Sequence, residues 1–412
     1  KDLYHYNNGN NNNTTATTTN CNDDDIKNDD RKQQTSSSVG RFLYFLWYLM
    51  EPGSGKLMKS WEIPLIYGSP LVFLYVCSNY SNNNDTENEE SVVVDNNIFE
   101  TWCYDIITFV LRNATSQGLL FLVVVQIPTL LTGHMTYVDI GWPAGIVFLS
   151  YHAFIASERN KILLSLALLV HGGRMFLGAL VVFFPYIWNE DLPRYRYAKQ
   201  RWTNQMKNII NTNSNKSSSS WWWLKQQQET LVQAFFNSFL IAVPIFVHAT
   251  DPTSSSSSYG GIGCWFVFWC IENYADTQKI LFLNTAKLNG DVRTAVLGHP
   301  PYHQPFHRYG LWTICRHPNY FLEYMCWNSF LFTSCLPSCY KFCIQFIQYY
   351  QQQSSTSILT TIIGILSLLL NIVYASRMFY DCLVYWTGAE PSEVRSVQRR
   401  PLYRKYQQTT PM

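Results

Sequence analysis

From residue 118 onward, long apolar runs alternate with shorter polar ones. Residues 118–131, 140–156, 162–188, 231–248, 262–283, 320–336 and 358–386 are each predominantly apolar. A membrane-spanning helix needs about 20 such residues, and several of these runs qualify outright or with a tilt. Upstream the pattern is weaker. Residues 41–50 form a short aromatic block, and the runs 62–77 and 98–111 are interrupted by Glu62, Pro64, Glu100 and Asp105. The pattern predicts an all-α, polytopic transmembrane bundle of about seven to nine helices. Residues 1–40 are rich in Asn and Thr, with an acidic run at Asp23, Asp24 and Asp25. They carry too little apolar surface to offset the entropy of folding and read as a disordered tail. The first residue is Lys1, which is compatible with a preceding or cleaved segment. The expected organisation is a tail (1–40), N-terminal membrane segments (41–117) and the main transmembrane domain (118–412).

Loop charge supplies an orientation. Residues 189–229 carry Arg194, Arg196, Lys199, Arg201, Lys207, Lys216 and Lys225, and the end of the chain carries Arg395, Arg399, Arg400, Arg404 and Lys405. Residues 249–261 carry no basic side chain, and 337–350 only Lys341. Basic loops stay cytosolic, so the helices between them form two hairpins with both basic ends on the cytosolic side. Arg159 and Lys161 break this parity.

Composition sharpens the class. Charged residues are 14% of the chain and aromatics 16%, against roughly 25% charged in ordinary globular proteins. The mean hydropathy of −0.09 averages apolar blocks with Asn-, Ser- and Gln-rich tracts. A net charge of +2, with no basic stripe, points away from nucleic acid, and the apolar runs point to a lipid bilayer. The 11 cysteines lack a paired framework and read as reduced, buried thiols. No metal site is expected. Cys335, Cys339 and Cys343 lack a His or acid partner, and Pro300, Pro301 and Pro305 forbid the helix that would align His299, His303 and His307.

The densest chemistry lies in Arg316-His317-Pro318-Asn319-Tyr320-Phe321-Leu322-Glu323, beside an apolar run. Ionisable groups at membrane depth are costly and mark function by default. Pro318 suits the first turn of a helix. Asn319, Tyr320 and Glu323 then lie one turn apart, and Arg316 and His317 sit just outside the positive end, where an anion is welcome. Glu272, Asp276 and Lys279 fall at i, i+4 and i+7 on one helix face, with Gln278 alongside. A cofactor site and an interfacial cap with a self-paired Asp276–Lys279 both fit that spacing. Tyr137, Asp139 and Trp142 head another apolar run, either as a polarising or proton-donating group or as a helix start with an aromatic belt. Arg174 is a lone charge within 162–184 and must face protein or ligand. Arg395, Arg399 and Tyr403 suit a phosphate, or equally a juxtamembrane basic stretch.

Arg-His-Pro-Asn-Tyr-Phe-x-Glu followed by Trp327 resembles the signature of the steroid 5-alpha-reductase-like membrane proteins (the DUF1295 group). Glu272-x-x-Ala-Asp276-x-Gln278 about forty residues earlier, Val-Asp139-x-x-Trp142, the segment from Asp191 to Trp202 and the tail around Tyr403 are similar to the same family. The resemblance implies an NADPH-dependent reductase of a steroid- or lipid-like enone in the endoplasmic reticulum, its cofactor site facing the cytosol. It implies cofactor binding by Glu272, Asp276, Gln278, Arg316, His317, Asn319, Tyr320, Glu323, Arg395, Arg399 and Tyr403. Catalysis then falls to Tyr137, Asp139 or Tyr320. The Arg-His-Pro-x-Tyr portion also resembles isoprenylcysteine and phospholipid methyltransferases, which use S-adenosylmethionine. A non-enzymatic membrane scaffold or transport protein is the third reading.

Overall fold

The apolar runs fold as helices, and the polar side chains inside them decide how those helices meet. The computed structural model describes residues 59, 61–81, 93–157, 162–183, 190–210, 222–252, 258–291, 294–299, 309–352 and 358–412. All belong to one unit, residues 49–412. The tail 1–40, the aromatic block 41–50, Arg159, Lys161, His303 and His307 lie outside the described residues.

Helix α1 is Glu62–Ser81. Helix α2 runs through Val93–Leu120, widens into a π turn at Phe121–Gln126 and ends with Ile127–Thr132. Gly133 stops it with a left-handed φ of 72°, its N–H donating to the Thr129 carbonyl, a conformation that costs glycine least. Helices α3 (Val138–Ala156) and α4 (Ile162–Phe183) form a hairpin. Helix α5 is Pro193–Ile210. Helix α6 joins Trp222–Phe235, a π turn at Phe236–Leu240, and Ala242–Ala249. Helix α7 is Ser258–Leu288, and α8 is the short Gly310–Ile314. Helix α9 passes through Pro318–Asn328, a π turn at Ser329–Cys335 and Leu336–Gln352. Helix α10 covers Ile358–Asp381 and a π turn at Cys382–Trp386, followed by α11 (Ala389–Arg399) and α12 (Leu402–Thr409). No strand occurs among the described residues.

Six of these stretches are long and apolar enough to cross a membrane: Ile98–Thr132, Val138–Ala156, Ile162–Val181, Trp222–Ala249, Pro318–Gln351 and Ile358–Arg399. Helices α1 and α7 have the length but a more polar composition. The molecule is a multi-pass membrane protein.

One expectation is corrected. The runs 98–111 and 118–131 are not two spans but one helix, so the division at 117/118 falls inside α2. The polar break between them is internal. Asn113 Nδ2 donates to the carbonyls of Asn237 (3.1 Å) and Ser238 (3.3 Å), in the π turn of α6. Gln117 Nε2 donates to the Gly145 carbonyl at 2.7 Å, on α3. In hydrocarbon such amides need protein partners, and here they fasten α2, α3 and α6 together. Asn237 Nδ2 in turn donates to the Trp142 carbonyl at 3.1 Å, which fixes the start of α3.

Candidate functional site

The helices enclose a cavity of about 530 Å³, within the range of small-molecule sites. Aromatic rings form one part of its wall. Trp327 stacks on Phe379 at 4.3 Å, Phe236 meets Phe379 edge-on at 4.8 Å, and Trp142 meets Trp327 edge-on at 5.8 Å. Met175, Met378 and Trp386 add to the apolar surface. Polar groups gather in two places on this wall.

The first joins α4, α7 and α9. Arg174 donates from Nη1 to Glu272 Oε1 and from Nη2 to Asp276 Oδ2, both at 2.6 Å. The i, i+4 spacing on α7 is what lets one guanidinium grip both acids. Asp276 goes to Arg174 and Asn319, not to Lys279. Asn319 Nδ2 donates to Asp276 Oδ1 at 3.3 Å, and Lys279 lies over the Trp312 ring, 5.7 Å from its centre. Glu323 accepts from His171 Nε2 at 3.0 Å and Trp327 Nε1 at 2.8 Å. Asn319 Oδ1 is buried with no hydrogen-bond partner.

Among the described residues, His171, Glu272 and Cys326 bring possible metal-ligand atoms within 4.8 Å of one another. The hydrogen bonds argue against a metal there. Trp265 Nε1, a donor only, points at His171 Nδ1 at 3.5 Å. Nδ1 therefore accepts, and the proton sits on Nε2, which donates to Glu323 and is closed to an ion.

The second polar group lies where α3 begins and α5 passes. Asp139, in the first turn of α3, accepts Tyr195 Oη at 2.6 Å on Oδ1 and pairs with Arg194 Nη2 at 2.5 Å on Oδ2. Burial opposes the charge on Arg194, but Asp139, Tyr195 and Tyr320 together hold its guanidinium well above the ordinary range. Burial, with Asp139 beside it, pushes the Tyr195 phenol well up. Asp191 anchors the preceding turn, accepting the backbone N–H groups of Met135 and Thr136 at 3.1 Å and Thr136 Oγ1 at 2.5 Å.

Of the residues singled out from sequence, Asp139, Glu272, Asp276, Asn319, Tyr320 and Glu323 line the cavity. Tyr137 does not. It is buried among Phe121, Val125 and Val138. Gln278 is buried away from the cavity wall. Arg316 and His317 stand at the positive end of α9 as expected, but their anion comes from the same chain. Glu393 Oε1 accepts Arg316 Nε and His317 Nε2, both at 2.8 Å. Arg316 also donates from its backbone N to Pro411 O (2.9 Å), and from Nη1 to the carbonyls of Gln407 (3.0 Å) and Thr410 (2.6 Å). Tyr403 is buried, its hydroxyl donating to Glu393 at 3.4 Å. Arg399 is exposed and off the cavity wall, and Arg395 belongs to α11.

Sequence reasoning passed over His171, Arg194 and Tyr195 as individual site residues. A signal existed for His171, which precedes Arg174 by three positions in an otherwise apolar run and so shares its helix face. Arg194 and Tyr195 lay in a segment noted only as a whole.

No curated protein and no solved structure matches the chain. The family model described as "Protein of unknown function (DUF1295)" matches residues 125–344, just over half of the chain and most of the cavity wall. The chain therefore belongs to the DUF1295 family.

Proposed function

We propose that this protein is a membrane-embedded reductase that uses NADPH to reduce a lipophilic enone or related double bond. The observation that carries the reading is convergence. Arg174, the Glu272–Asp276 pair and the Asn319–Glu323 motif, from three helices, meet at one end of an aromatic-walled cavity among membrane helices. The orphaned Asn319 Oδ1 suits the amide N–H of a carboxamide, and carboxylates such as Asp276 suit ribose hydroxyls. These residues fit the nicotinamide–ribose end of the cofactor. In the observed arrangement Glu393 and the tail, not a phosphate, take Arg316 Nε and Nη1 and His317 Nε2.

NADPH, when bound, would supply a hydride to the β-carbon of the enone. The protein would position the two reactants and exclude water, its chief task in cofactor chemistry. A proton must also reach the α-carbon. Among Tyr137, Asp139 and Tyr320, Tyr320 is the phenol on the cavity wall, stacked on His317 at 5.5 Å. Asp139 is an acceptor taken up by Arg194 and Tyr195. The basic loops support a cytosolic cofactor face.

The test is to incubate the purified protein in nanodiscs with NADPH deuterated at the transferred position and a panel of lipophilic enones. Products one mass unit heavier than the ordinary reduced compound, lost in Asn319→Ala, support the reading. An unlabelled or unreduced panel contradicts it. A second reading rests on charge. The wall carries Asp139, Glu272, Asp276 and Glu323 against Arg174 and Arg194, a surplus of acid that also suits the sulfonium of S-adenosylmethionine. Methyl transfer from labelled S-adenosylmethionine to a membrane lipophile would select that reading.

A further inference from the structure

The cavity is graded in hydrogen-bonding character, and its Arg194 end is specific about what it can receive. Among the described residues on the wall, the buried N–H donors left without a partner are Trp142 Nε1 and Arg194 Nε. Both belong to residues grouped around Asp139. Trp142 stands three residues after Asp139 on the same face of α3, and Arg194 is 2.5 Å from the Asp139 carboxylate. Tyr195 adds no third donor, since its hydroxyl proton is committed to Asp139. A buried donor without an acceptor costs about 1–3 kcal/mol, so a ligand oxygen here would recover what the fold leaves unmet. Around Arg174 the wall instead offers acceptors, Asn319 Oδ1 and the carboxylates, whereas beside Arg194 the acceptor Asp139 Oδ2 is held in the ion pair.

Charge narrows the ligand further. Arg194 is already neutralised by Asp139, so an anionic head would gain little net attraction and still lose its hydration. A neutral acceptor loses much less on leaving lipid or water. We propose that Trp142 Nε1 and Arg194 Nε bind the carbonyl oxygen of a neutral lipophilic ketone, whose hydrocarbon body lies against Phe236, Trp327 and Phe379. This extends the reductase reading by placing the substrate carbonyl at the α3–α5 end. It assigns polarisation of that carbonyl to Trp142 and Arg194 in place of Asp139 or Tyr137.

Ligand binding without cofactor provides the test. The probes are a fused bicyclic enone (an octalone) and the matching octalin that lacks only the carbonyl oxygen. Both are titrated into the nanodisc-embedded protein, and the carbonyl stretch of bound octalone is read by isotope-edited infrared difference. The octalone should bind at least about tenfold more tightly than the octalin, one or two hydrogen bonds at 1.4 kcal/mol per factor of ten. Its carbonyl stretch should move to lower frequency than in protein-free nanodiscs. Trp142→Phe keeps the aromatic wall and removes one donor. It should cut the preference about five- to tenfold and return the stretch part of the way. Arg194→Lys keeps the charge beside Asp139, removes Nε and should act in the same direction. Equal binding of the two probes, or an unshifted stretch, overturns the proposal. A ketone preference with no reduction on adding NADPH supports this site and removes the reductase reading. Reduction with no ketone preference overturns this site and leaves the reductase standing.

Discussion

Replacing Glu393 with Ala isolates what holds the C-terminal helices in place. One carboxylate, 6% exposed, accepts from Arg316 and His317 at 2.8 Å, from Gln407 Nε2 at 2.6 Å and from Tyr403 Oη at 3.4 Å. Removing it leaves Arg316, whose side chain is 11% exposed, as a nearly buried cation without a carboxylate. Breaking a buried pair from one side costs about 3–5 kcal/mol. The lower figure is the better one here, because the Gln407 and Thr410 carbonyls still accept from Arg316. The loss falls on the contacts that tie α11 and α12 to the start of α9, so it lowers the free energy of local opening. At 1.4 kcal/mol per factor of ten, about 3 kcal/mol raises the open population roughly 100-fold. Trypsin reads this directly, since Arg404 and Lys405 are exposed on α12 but can be cut only when that helix opens. With opening and closing fast relative to cleavage, the rate follows the open population. Intact-mass time courses in nanodiscs should show cleavage at Arg404 and Lys405 about 100-fold faster in Glu393→Ala than in wild type. The exposed Gln398→Ala serves as the control. A rate within threefold of wild type, with the remaining fold intact, would refute the claim that Glu393 is the latch.

Three further outcomes follow from the same structure. Arg174→Met should destabilise the bundle by about 2–4 kcal/mol, mostly through Glu272, since Asp276 is more than a third exposed. Adding Glu272→Gln should recover more than half of that loss in thermal unfolding, and no recovery would mean the two do not act as a pair. Gly145→Ala places a β-carbon against the amides of Asn237 and Gln117. It should cost about 1–3 kcal/mol by overpacking, measured the same way, and an unchanged midpoint would contradict the junction described for α2, α3 and α6. Burial pushes the Cys315 thiol up, so iodoacetamide at pH 8 should alkylate it more slowly than glutathione, as followed by peptide mass.

The local chemistry was more legible in the sequence than the partners it finds. Residues 272 and 276 share a helix face by spacing alone, and a lone arginine in an apolar run had to face protein. Neither fact named Arg174 as the group between them, because that pairing joins helices about a hundred residues apart. At Arg316 and His317 the positive end of α9 correctly called for an anion. The anion is Glu393, some 77 positions later, and no local pattern distinguishes it from a ligand phosphate. Asn113 and Gln117 misled in the opposite direction. Two amides in an apolar stretch read as a boundary, and only the carbonyls of Asn237, Ser238 and Gly145 make them interior. Tyr137 and Asp139 stand two positions apart in sequence, yet the turn of α3 sends one into the Phe121–Val125 cluster and the other to the cavity.

The central claim, that the Arg174–Asp276–Asn319 end of the cavity receives NADPH, is tested most directly by ligand-dependent stability. NADPH, NADH and S-adenosylmethionine are each titrated against the thermal unfolding of the purified protein. A ligand that binds only the folded state stabilises it by RT ln(1 + [L]/Kd). The account predicts stabilisation by NADPH that rises with log concentration and is lost in Asn319→Ala, while the untreated variant unfolds near the wild-type temperature. Stabilisation by S-adenosylmethionine instead, or an NADPH effect that survives Asn319→Ala unchanged, would contradict it.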